Sequence, residues 1–297
     1  MAKSWRVTVL TQAALCLSVF MLMIAFKFLR PATTHSNLDL YFISVGDAER
    51  PLLERRALAK QIKATALEYD VQFVVSISDA DTNHGLLESV HEAFHSYPPL
   101  QVPWHSIVGA HHQEDKIRYF RKQIPIPLHH TMDIIGIDTI ELQDFCKNSS
   151  LEKRGQDQVT WLMKTLADTT SDWRIVIGWH PLNKCQVERF VRDPKQQLHN
   201  MLLPMFMKYG VHVYLHGQEQ FSLHMKDKGI ACIGNPIHNL VNDNHVLQNG
   251  TYSWAKNAPS GFILYRVCAL EMEMYFIDWK GTILHRATVH QNGRAVL

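Results

Sequence analysis

The stretch WRIVIGWHP, residues 173–181, sets the pattern from which the fold is predicted. Its β-branched, apolar run at residues 174–177 predicts a short buried strand, and Gly178 ends that run just before a tryptophan, a histidine and a proline. The same arrangement, an apolar run that stops at small or polar residues, recurs along the chain at residues 40–45, 71–77, 105–108, 134–137 and 211–215. Six such runs indicate a sheet-forming chain.

Helical patterns separate several of these runs. Apolar residues recur at helical spacing over residues 51–69, 158–166 and 194–209. Strands that alternate with helices predict an α/β domain with largely buried sheets. The final segments, residues 262–270, 273–278 and 282–285, read instead as antiparallel strands, with Lys280-Gly281 as a hairpin turn.

Polar clusters follow five of the predicted strands. They begin at Gly46-Asp47, Ser78-Asp79, Gly109, Gly178 and His216. Folds of this type build their sites at the carboxyl ends of their strands. We therefore expect these clusters to lie along one rim of the domain.

The amino terminus predicts a membrane anchor. Residues 7–26 hold no charged side chain and are long enough to cross a bilayer as a helix. The stretch ends in bulky residues around Phe26 rather than in the small residues of a cleavage site, which favours a signal anchor over a signal peptide. The predicted organisation is an anchor at 1–30, a linker at 31–37, one domain at 38–290 and a tail at 291–297.

Two sequons, at Asn148 and Asn249, place the domain on the lumenal or extracellular side of a single-pass protein. Four cysteines follow the anchor, namely Cys146, Cys185, Cys232 and Cys268, and the pattern leaves disulfides and buried thiols equally open. With 46% hydrophobic residues the chain can bury a core, and a net charge of +2 without a basic run excludes nucleic acid as the expected partner.

The order of the polar clusters resembles the calcineurin-like metallophosphoesterases, and most closely the small purple acid phosphatases. That family reads G-D-x-G, G-D-x-x-Y, G-N-H-D, G-H-x-P and G-H-x-H after successive strands. This chain reads Gly46-Asp47-Ala48-Glu49, Ser78-Asp79-Ala80-Asp81-Thr82, Gly109-Ala110-His111-His112, Gly178-Trp179-His180-Pro181 and Gly217-Gln218-Glu219-Gln220. The resemblance spans residues 38–289 and implies a layered sandwich of two mixed β-sheets flanked by helices.

The resemblance also implies a degenerate metal centre. Of seven ligand positions, Asp47 and the metal-bridging Asp79 are retained, and the other five are replaced, by Thr82, Ala110, Trp179, Gln218 and Gln220. Two closely spaced cations require carboxylates and imidazoles around them, and an indole offers no lone pair to a metal. We therefore expect no intact di-metal centre, and either no metal or one weakly bound divalent ion.

Other polar residues leave a second interpretation open. His111 matches the family residue that contacts phosphate and protonates the leaving oxygen, so it is a vestigial catalytic candidate. Retained or neighbouring groups that would rebuild a single metal site are Asp47, Asp79, Asp81, His84, His111, His112, His180 and His216. The alternative is a solvated groove without a tightly held ion.

These features predict a membrane-anchored pseudophosphatase that binds or scaffolds, with an unknown protein or a phosphate-bearing or glycan ligand as its partner. A divergent acid phosphatase, acting on phosphoric monoesters through a single or rebuilt metal site, is the alternative. A purely structural membrane protein would leave the polar cluster around Asp47, Asp79 and His111 without a purpose.

Overall fold

The computed structural model describes residues 12, 38–46, 52–78, 101–108, 119–146, 152–182, 194–219, 221–225, 229–236, 254–256 and 261–291. Within these residues thirteen strands and four helices are formed, all after residue 37. The strands are β1 Leu40–Gly46, β2 Phe73–Ser78, β3 Trp104–Val108, β4 Phe120–Ile126, β5 His130–Gly136, β6 Trp173–Ile177, β7 Val213–Glu219, β8 Phe221–Met225, β9 Ala231–Pro236, β10 Trp254–Lys256, β11 Gly261–Val267, β12 Glu271–Asp278 and β13 Ile283–His290. The helices are α1 Leu52–Tyr69, α2 Thr139–Cys146, α3 Glu152–Asp168 and α4 Pro194–Lys208.

The strands form two mixed sheets. The six-stranded sheet has the order β13-β12-β11-β1-β2-β3, and the seven-stranded sheet has the order β10-β8-β9-β7-β6-β5-β4. Strands β1, β2 and β3 are parallel, as are β5, β6, β7 and β9, whereas the flanking strands pair antiparallel. The prediction of an α/β domain with two mixed sheets is therefore confirmed.

Three apolar clusters hold the layers together. One cluster lies between the sheets and contains Phe42, Ile77, Ile177 and Trp179. On the outer face of the six-stranded sheet, α1 buries residues such as Leu58 and Ile62 against β1, β2 and β11. On the outer face of the seven-stranded sheet, α2, α3 and α4 bury side chains such as Leu142, Leu162 and Phe206. Because the second sheet covers one face of each sheet and helices cover the other, the central strands are apolar on both faces.

Several elements differ from the sequence prediction. Strands β4, β8, β9 and β10 and helix α2 were not predicted, because the polar residues of β4 and the shortness of α2 and β10 obscure their periodicity. Strand β7 continues to Glu219, beyond the predicted end at Leu215, because it pairs with β9 through His216 and again at Glu219. The predicted hairpin turn at Lys280-Gly281 is confirmed, and Gly281 has φ +86° there.

The carboxyl ends of the parallel strands in the two sheets meet. Ser44 near the end of β1 donates to Asn235 near the end of β9 at 2.7 Å. Gly217 in β7 faces Ile77 in β2 so closely that a Cβ at Gly217 would lie 2.6 Å from the Ile77 Cγ2. We call this side of the domain the carboxyl edge and the opposite side, where these strands begin, the amino edge.

The described residues cover only part of the other sequence predictions. Among the described residues there is no helix with the length and hydrophobicity needed to span a bilayer. The predicted anchor lies outside those residues except for Gln12, and Asn148 and Asn249 also lie outside them. Cys146, Cys232 and Cys268 carry thiols, and burial raises the pKa of Cys146.

Candidate functional site

The structure places only part of the predicted site. Trp179, His180 and His216 are described with their side chains, and Gln218 is described as part of β7. The remaining predicted site residues lie outside the described part of the chain, and they are Asp47, Asp79, Asp81, Thr82, His84, Ala110, His111, His112 and Gln220. In the described part no group of three or more histidine, cysteine, aspartate or glutamate side chains is placed to hold a metal ion.

The turn that follows β6 is held by hydrogen bonds from its backbone to two side-chain hydroxyls. The Thr139 hydroxyl accepts from the backbone amides of Trp179 and His180, both at 3.1 Å. The Tyr214 hydroxyl donates to the His180 carbonyl at 2.6 Å. A Cβ at Gly178 would collide with the Tyr214 hydroxyl, which explains why glycine stands there. Side chains of α2 and β7 therefore hold the turn that carries Gly178, Trp179 and His180.

The hydrogen bonds of Thr139 also determine the tautomer of His180. Since the two amides fill the lone pairs of the Thr139 oxygen, its single proton must go to the His180 Nδ1, 2.9 Å away. Nδ1 is then an acceptor, so Nε2 carries the proton of the neutral ring. His180 is buried, and its Nδ1 is already engaged in holding the turn.

Trp179 is part of the core at the carboxyl edge. Its side chain is 4% exposed and belongs to the cluster between the sheets. The Trp179 carbonyl accepts from the Gly217 amide at 3.3 Å, and a Cβ at Gly217 would lie 2.8 Å from the Trp179 ring. The position at which the family resemblance predicts a metal ligand is thus occupied by a packed indole ring, and Gly217 leaves the space that this ring fills.

His216 lies inside β7, whereas we had expected it in the loop after that strand. It is fully buried and stacks on Tyr214, with ring centroids 5.9 Å apart at an interplanar angle of 25°. Neither ring nitrogen has a hydrogen-bond partner among the described residues. Burial lowers the pKa of His216 from 6.5 to about 3, because the charged ring would be desolvated there.

A buried polar network joins the two sheets beside these residues. The Ser44 hydroxyl donates to the Asn235 Oδ1 at 2.7 Å, so the Tyr265 hydroxyl, 3.1 Å from Ser44, must donate in its turn. The Asn235 amide donates to the His216 carbonyl at 3.4 Å. Sequence reasoning missed this network, although Gly234-Asn235-Pro236 after the apolar residues 230–233 was the signal that would have found Asn235.

Burial at the carboxyl edge disfavours the charged forms of three described side chains, Tyr265, Tyr214 and His216. Burial raises the pKa of Tyr265 and of Tyr214, so both hydroxyls stay protonated donors. His216 stays neutral for the same reason. Ser44, Tyr214, His216, Asn235 and Tyr265 therefore form an uncharged frame at this edge, and the predicted acids Asp47 and Asp79 lie outside the described residues.

A cavity of about 390 Å³ lies elsewhere, at the amino edge. Asp172, Arg174 and His212 line it together with Gln291. The Arg174 guanidinium donates to the carbonyls of Tyr209 and Thr169, and its backbone amide donates to His212 Nδ1 at 3.2 Å. These bonds hold the loops around the starts of β6 and β7, far along the strands from the predicted site.

Two mixed sheets whose carboxyl edges meet form an α/β sandwich, the architecture that the resemblance to the metallophosphoesterases implies. No family model matches the chain. Tartrate-resistant acid phosphatase type 5 of Oryctolagus cuniculus is 22% identical over 315 residues, which cover 90% of this chain and 96% of that protein. Purple acid phosphatase 4 of Arabidopsis thaliana is 22% identical over 293 residues, which cover 84% of this chain and 83% of that protein.

One solved structure has the same fold over most of its length. It is described as GAP50, the anchor in the inner membrane complex of Plasmodium, and it superposes with a TM-score of 0.70 at 16% identity. The match covers 86% of this chain and 90% of that one. Together with the curated relatives, these findings relate the chain to the calcineurin-like metallophosphoesterases, and within them to the purple acid phosphatases.

Proposed function

We propose that this protein is a membrane-anchored pseudophosphatase, in which a purple acid phosphatase-like domain binds or scaffolds rather than hydrolyses. The observation that carries the proposal is the burial of Trp179 in the core at a ligand position of the family. The indole has no lone pair for a metal, and its packing against Gly217 leaves no room there for a substitute ligand.

The retained frame supports the binding role. Thr139 and Tyr214 hold the turn after β6, and the Ser44–Asn235 bond holds the two sheets together. A domain that binds but does not hydrolyse would need this frame and would not need the metal ligands. The solved relative is described as an anchor in a membrane complex, which agrees with a scaffolding role for a related fold.

The anchor and the side of the membrane are part of the same proposal. Residues 7–26 would cross the bilayer once and leave the domain in the lumen or outside the cell. Asn148 and Asn249 would then carry glycans. The partner would be a protein or a phosphate-bearing or glycan ligand at the carboxyl edge.

An acid phosphatase with a single or rebuilt metal site is the second candidate. It is favoured by the retention of Asp47, Asp79 and His111 in sequence and by curated relatives that are acid phosphatases. The two described histidines of the predicted metal site are poorly placed to bind a metal ion. His180 uses its Nδ1 on Thr139, and His216 is stacked on Tyr214 inside a strand.

The decisive experiment combines elemental analysis with an activity assay on the purified full-length chain. We expect less than one iron, zinc or manganese ion per chain, and no hydrolysis of an aryl phosphate between pH 4 and 8 with any of these metals added. The matched control is Asp79→Asn, which should leave metal content and activity unchanged. Stoichiometric metal together with hydrolysis that Asp79→Asn abolishes would overturn the pseudophosphatase and establish the second candidate.

A further inference from the structure

The cavity at the amino edge has charged, polar and apolar groups in its lining. Its volume of about 390 Å³ is large enough for a small organic molecule. The lining comes from both sheets, because Gln291 follows β13 and Arg174 lies in β6. The cavity is at the opposite edge from the candidate site, and the proposed function does not use it.

Arg174 brings a positive charge to the lining. Its guanidinium donates to the carbonyls of Tyr209 and Thr169, and a Cβ at Gly210 would lie 3.0 Å from its Nη1. Gly210 has φ +65°, so glycine both makes the turn after α4 and leaves room for the guanidinium. The cation is therefore held in place beside the cavity, and an arginine side chain is well suited to bind a planar carboxylate.

Two neutral groups add hydrogen-bond donors to the same lining. The His212 Nδ1 accepts from the Arg174 backbone amide at 3.2 Å, so Nε2 carries the proton of the neutral ring. The Ser171 hydroxyl, on a residue that is 3% exposed, accepts from the Gln123 side chain at 3.1 Å and from the Thr131 hydroxyl at 3.2 Å. These bonds fill both lone pairs of the Ser171 oxygen, and within the described part of the chain its own proton has no acceptor. The Ser171 proton is therefore available to a molecule in the cavity.

The lining also contains acceptors. The Gln291 side-chain amide donates to the Asp172 carbonyl at 3.2 Å, which fixes Nε2 and leaves Oε1 as an acceptor. Gln291 is 9% exposed, and no described residue donates to that oxygen. Asp172 adds a carboxylate, whose Oδ2 accepts from the Thr131 amide at 3.0 Å and lies 3.2 Å from the His130 Nδ1. A negative group therefore accompanies the positive one.

The two charges and the apolar part of the lining together define a class of ligand. A ligand with only a negative charge would be repelled by Asp172, and one with only a positive charge would be repelled by Arg174. A small zwitterion satisfies both groups. Met207, Val211 and Ile230 complete the lining, so the ligand also needs an apolar portion.

We propose that the cavity at the amino edge binds a zwitterionic α-amino acid with an apolar side chain. The carboxylate of the ligand accepts from Arg174, Ser171 and His212. Its ammonium group donates to Asp172 and to the Gln291 Oε1, and its side chain packs on the apolar part of the lining. Because Gln291 follows the last strand of the six-stranded sheet and Arg174 belongs to the other sheet, the bound ligand connects the two sheets at this edge.

The first test is isothermal titration calorimetry of the purified full-length chain in detergent, with L-leucine as the probe. Two analogues of L-leucine each lack one charge: isocaproate has no ammonium group, and isoamylamine has no carboxylate. We expect L-leucine to bind with a Kd below about 1 mM, and each analogue to bind at least about tenfold more weakly. Absence of L-leucine binding, or binding of either analogue as tight as that of L-leucine, would overturn the proposal.

Two matched variants then locate the binding. Met205 and Met207 are both partly buried on α4, and of the two only Met207 lines the cavity. Met207→Trp fills the cavity and should weaken L-leucine binding at least about tenfold, whereas Met205→Trp should leave the Kd unchanged within about twofold. A Met207→Trp chain that binds L-leucine as the wild type does, or an equal loss of binding in both variants, places the ligand elsewhere and overturns the proposal.

A third variant keeps the test open if circular dichroism shows that Met207→Trp does not fold. Gln291→Met has a similar length and removes the Oε1 acceptor of the ammonium group. We expect it to weaken L-leucine binding at least about fivefold. Undiminished binding of L-leucine by folded Gln291→Met would contradict the proposed site.

Discussion

Trp179 is the residue on which the proposed loss of catalysis depends. Its neighbours in the core are apolar, and Gly217 lies against its ring. A large ring that is 4% exposed contributes to stability through dispersion contacts and through the apolar area removed from water.

We therefore expect Trp179→Ala to lower the free energy of unfolding by about 3–5 kcal/mol, because it opens a cavity between the sheets. Trp179→Phe should cost less, since it keeps a ring in the same space. Urea unfolding followed by circular dichroism measures both. Met163→Ala, at a site that is 42% exposed, is the control and should change stability by less than about 1 kcal/mol. A Trp179→Ala variant as stable as this control would contradict the packing described here.

His216 makes stability depend on pH in a predictable direction. Its folded pKa of about 3 lies below the unfolded value of 6.5. Between these values the unfolded chain binds a proton that the folded chain refuses, so falling pH favours unfolding by up to about 1.4 kcal/mol per pH unit. Above pH 6.5 both states are neutral and the effect vanishes.

His216→Phe, which keeps a ring beside Tyr214, should remove this dependence. We expect the stability of wild type relative to the variant to fall by about 2 kcal/mol between pH 7.5 and pH 5, in urea titrations with a chelator present. Subtracting the stability of the variant from that of the wild type at each pH removes the contributions that the other histidines make to the pH dependence. Parallel pH profiles of the two proteins would show that His216 is hydrated or partnered in solution.

At the scale of the element, the short helix α2 organises the turn that holds Trp179. The Asp138 Oδ1 accepts from the amides of Ile140 and Glu141 at 3.0 and 3.1 Å, which makes Asp138 the amino-terminal cap. Gln158, fully buried on α3, bonds both the amide and the carbonyl of Asp138. The cap thereby fixes Thr139, whose hydroxyl binds the turn after β6.

Asp138→Ala should lower the free energy of unfolding by about 1 kcal/mol, within a range of about 0.5–2, because two helix amides lose their acceptor. Hydrogen exchange should also become faster at the amides of Trp179 and His180, since Thr139 is less firmly held. Asp157→Ala, on the exposed face of α3, is the matched control and should alter neither quantity. Faster exchange in the control as well would mean that the effect is not transmitted through α2.

At the scale of the whole molecule, the two sheets are joined by the Ser44–Asn235 hydrogen bond and by the core around it. Both side chains are fully buried, so either one would be left without this partner if the other were removed. An unsatisfied buried polar group costs about 1–3 kcal/mol.

Ser44→Ala and Asn235→Ala should each lower the free energy of unfolding by about 1–3 kcal/mol. The double variant should lose less than the sum of the two, by a coupling energy of about 0.5–3 kcal/mol, because one bond is removed twice in that sum. Thr160, whose hydroxyl bonds within α3 on an exposed face, provides the control: Thr160→Ala and Ser44→Ala should be additive. If the losses of stability in the Ser44–Asn235 cycle were additive, this hydrogen bond would not contribute to holding the two sheets together.

Elements with a strong period could be predicted from the sequence, and elements without one could not. The buried strands β1, β2 and β6 and the helices α1 and α4 were found within two residues of their observed bounds, because their apolar residues recur at fixed spacing. Helix α3 was predicted only over residues 158–166, although it begins at Glu152. Strand β4 lies at a sheet edge and its residues are largely polar and only partly buried, and β9 ends in Gly-Asn-Pro, so neither strand has a clear hydrophobic period.

The sequence by itself determined the class of fold, because strand periodicity is a property of residue order. It also predicts the replacement of five metal-ligand positions, because ligand chemistry is a property of residue type. Only the tertiary structure decided that Trp179 fills the core, that His216 is sealed inside β7, and that Ser44 bonds Asn235 across 191 positions of the chain. Those facts depend on which distant segments are packed together, and the free energy of that packing is a sum over the whole core that no local pattern contains.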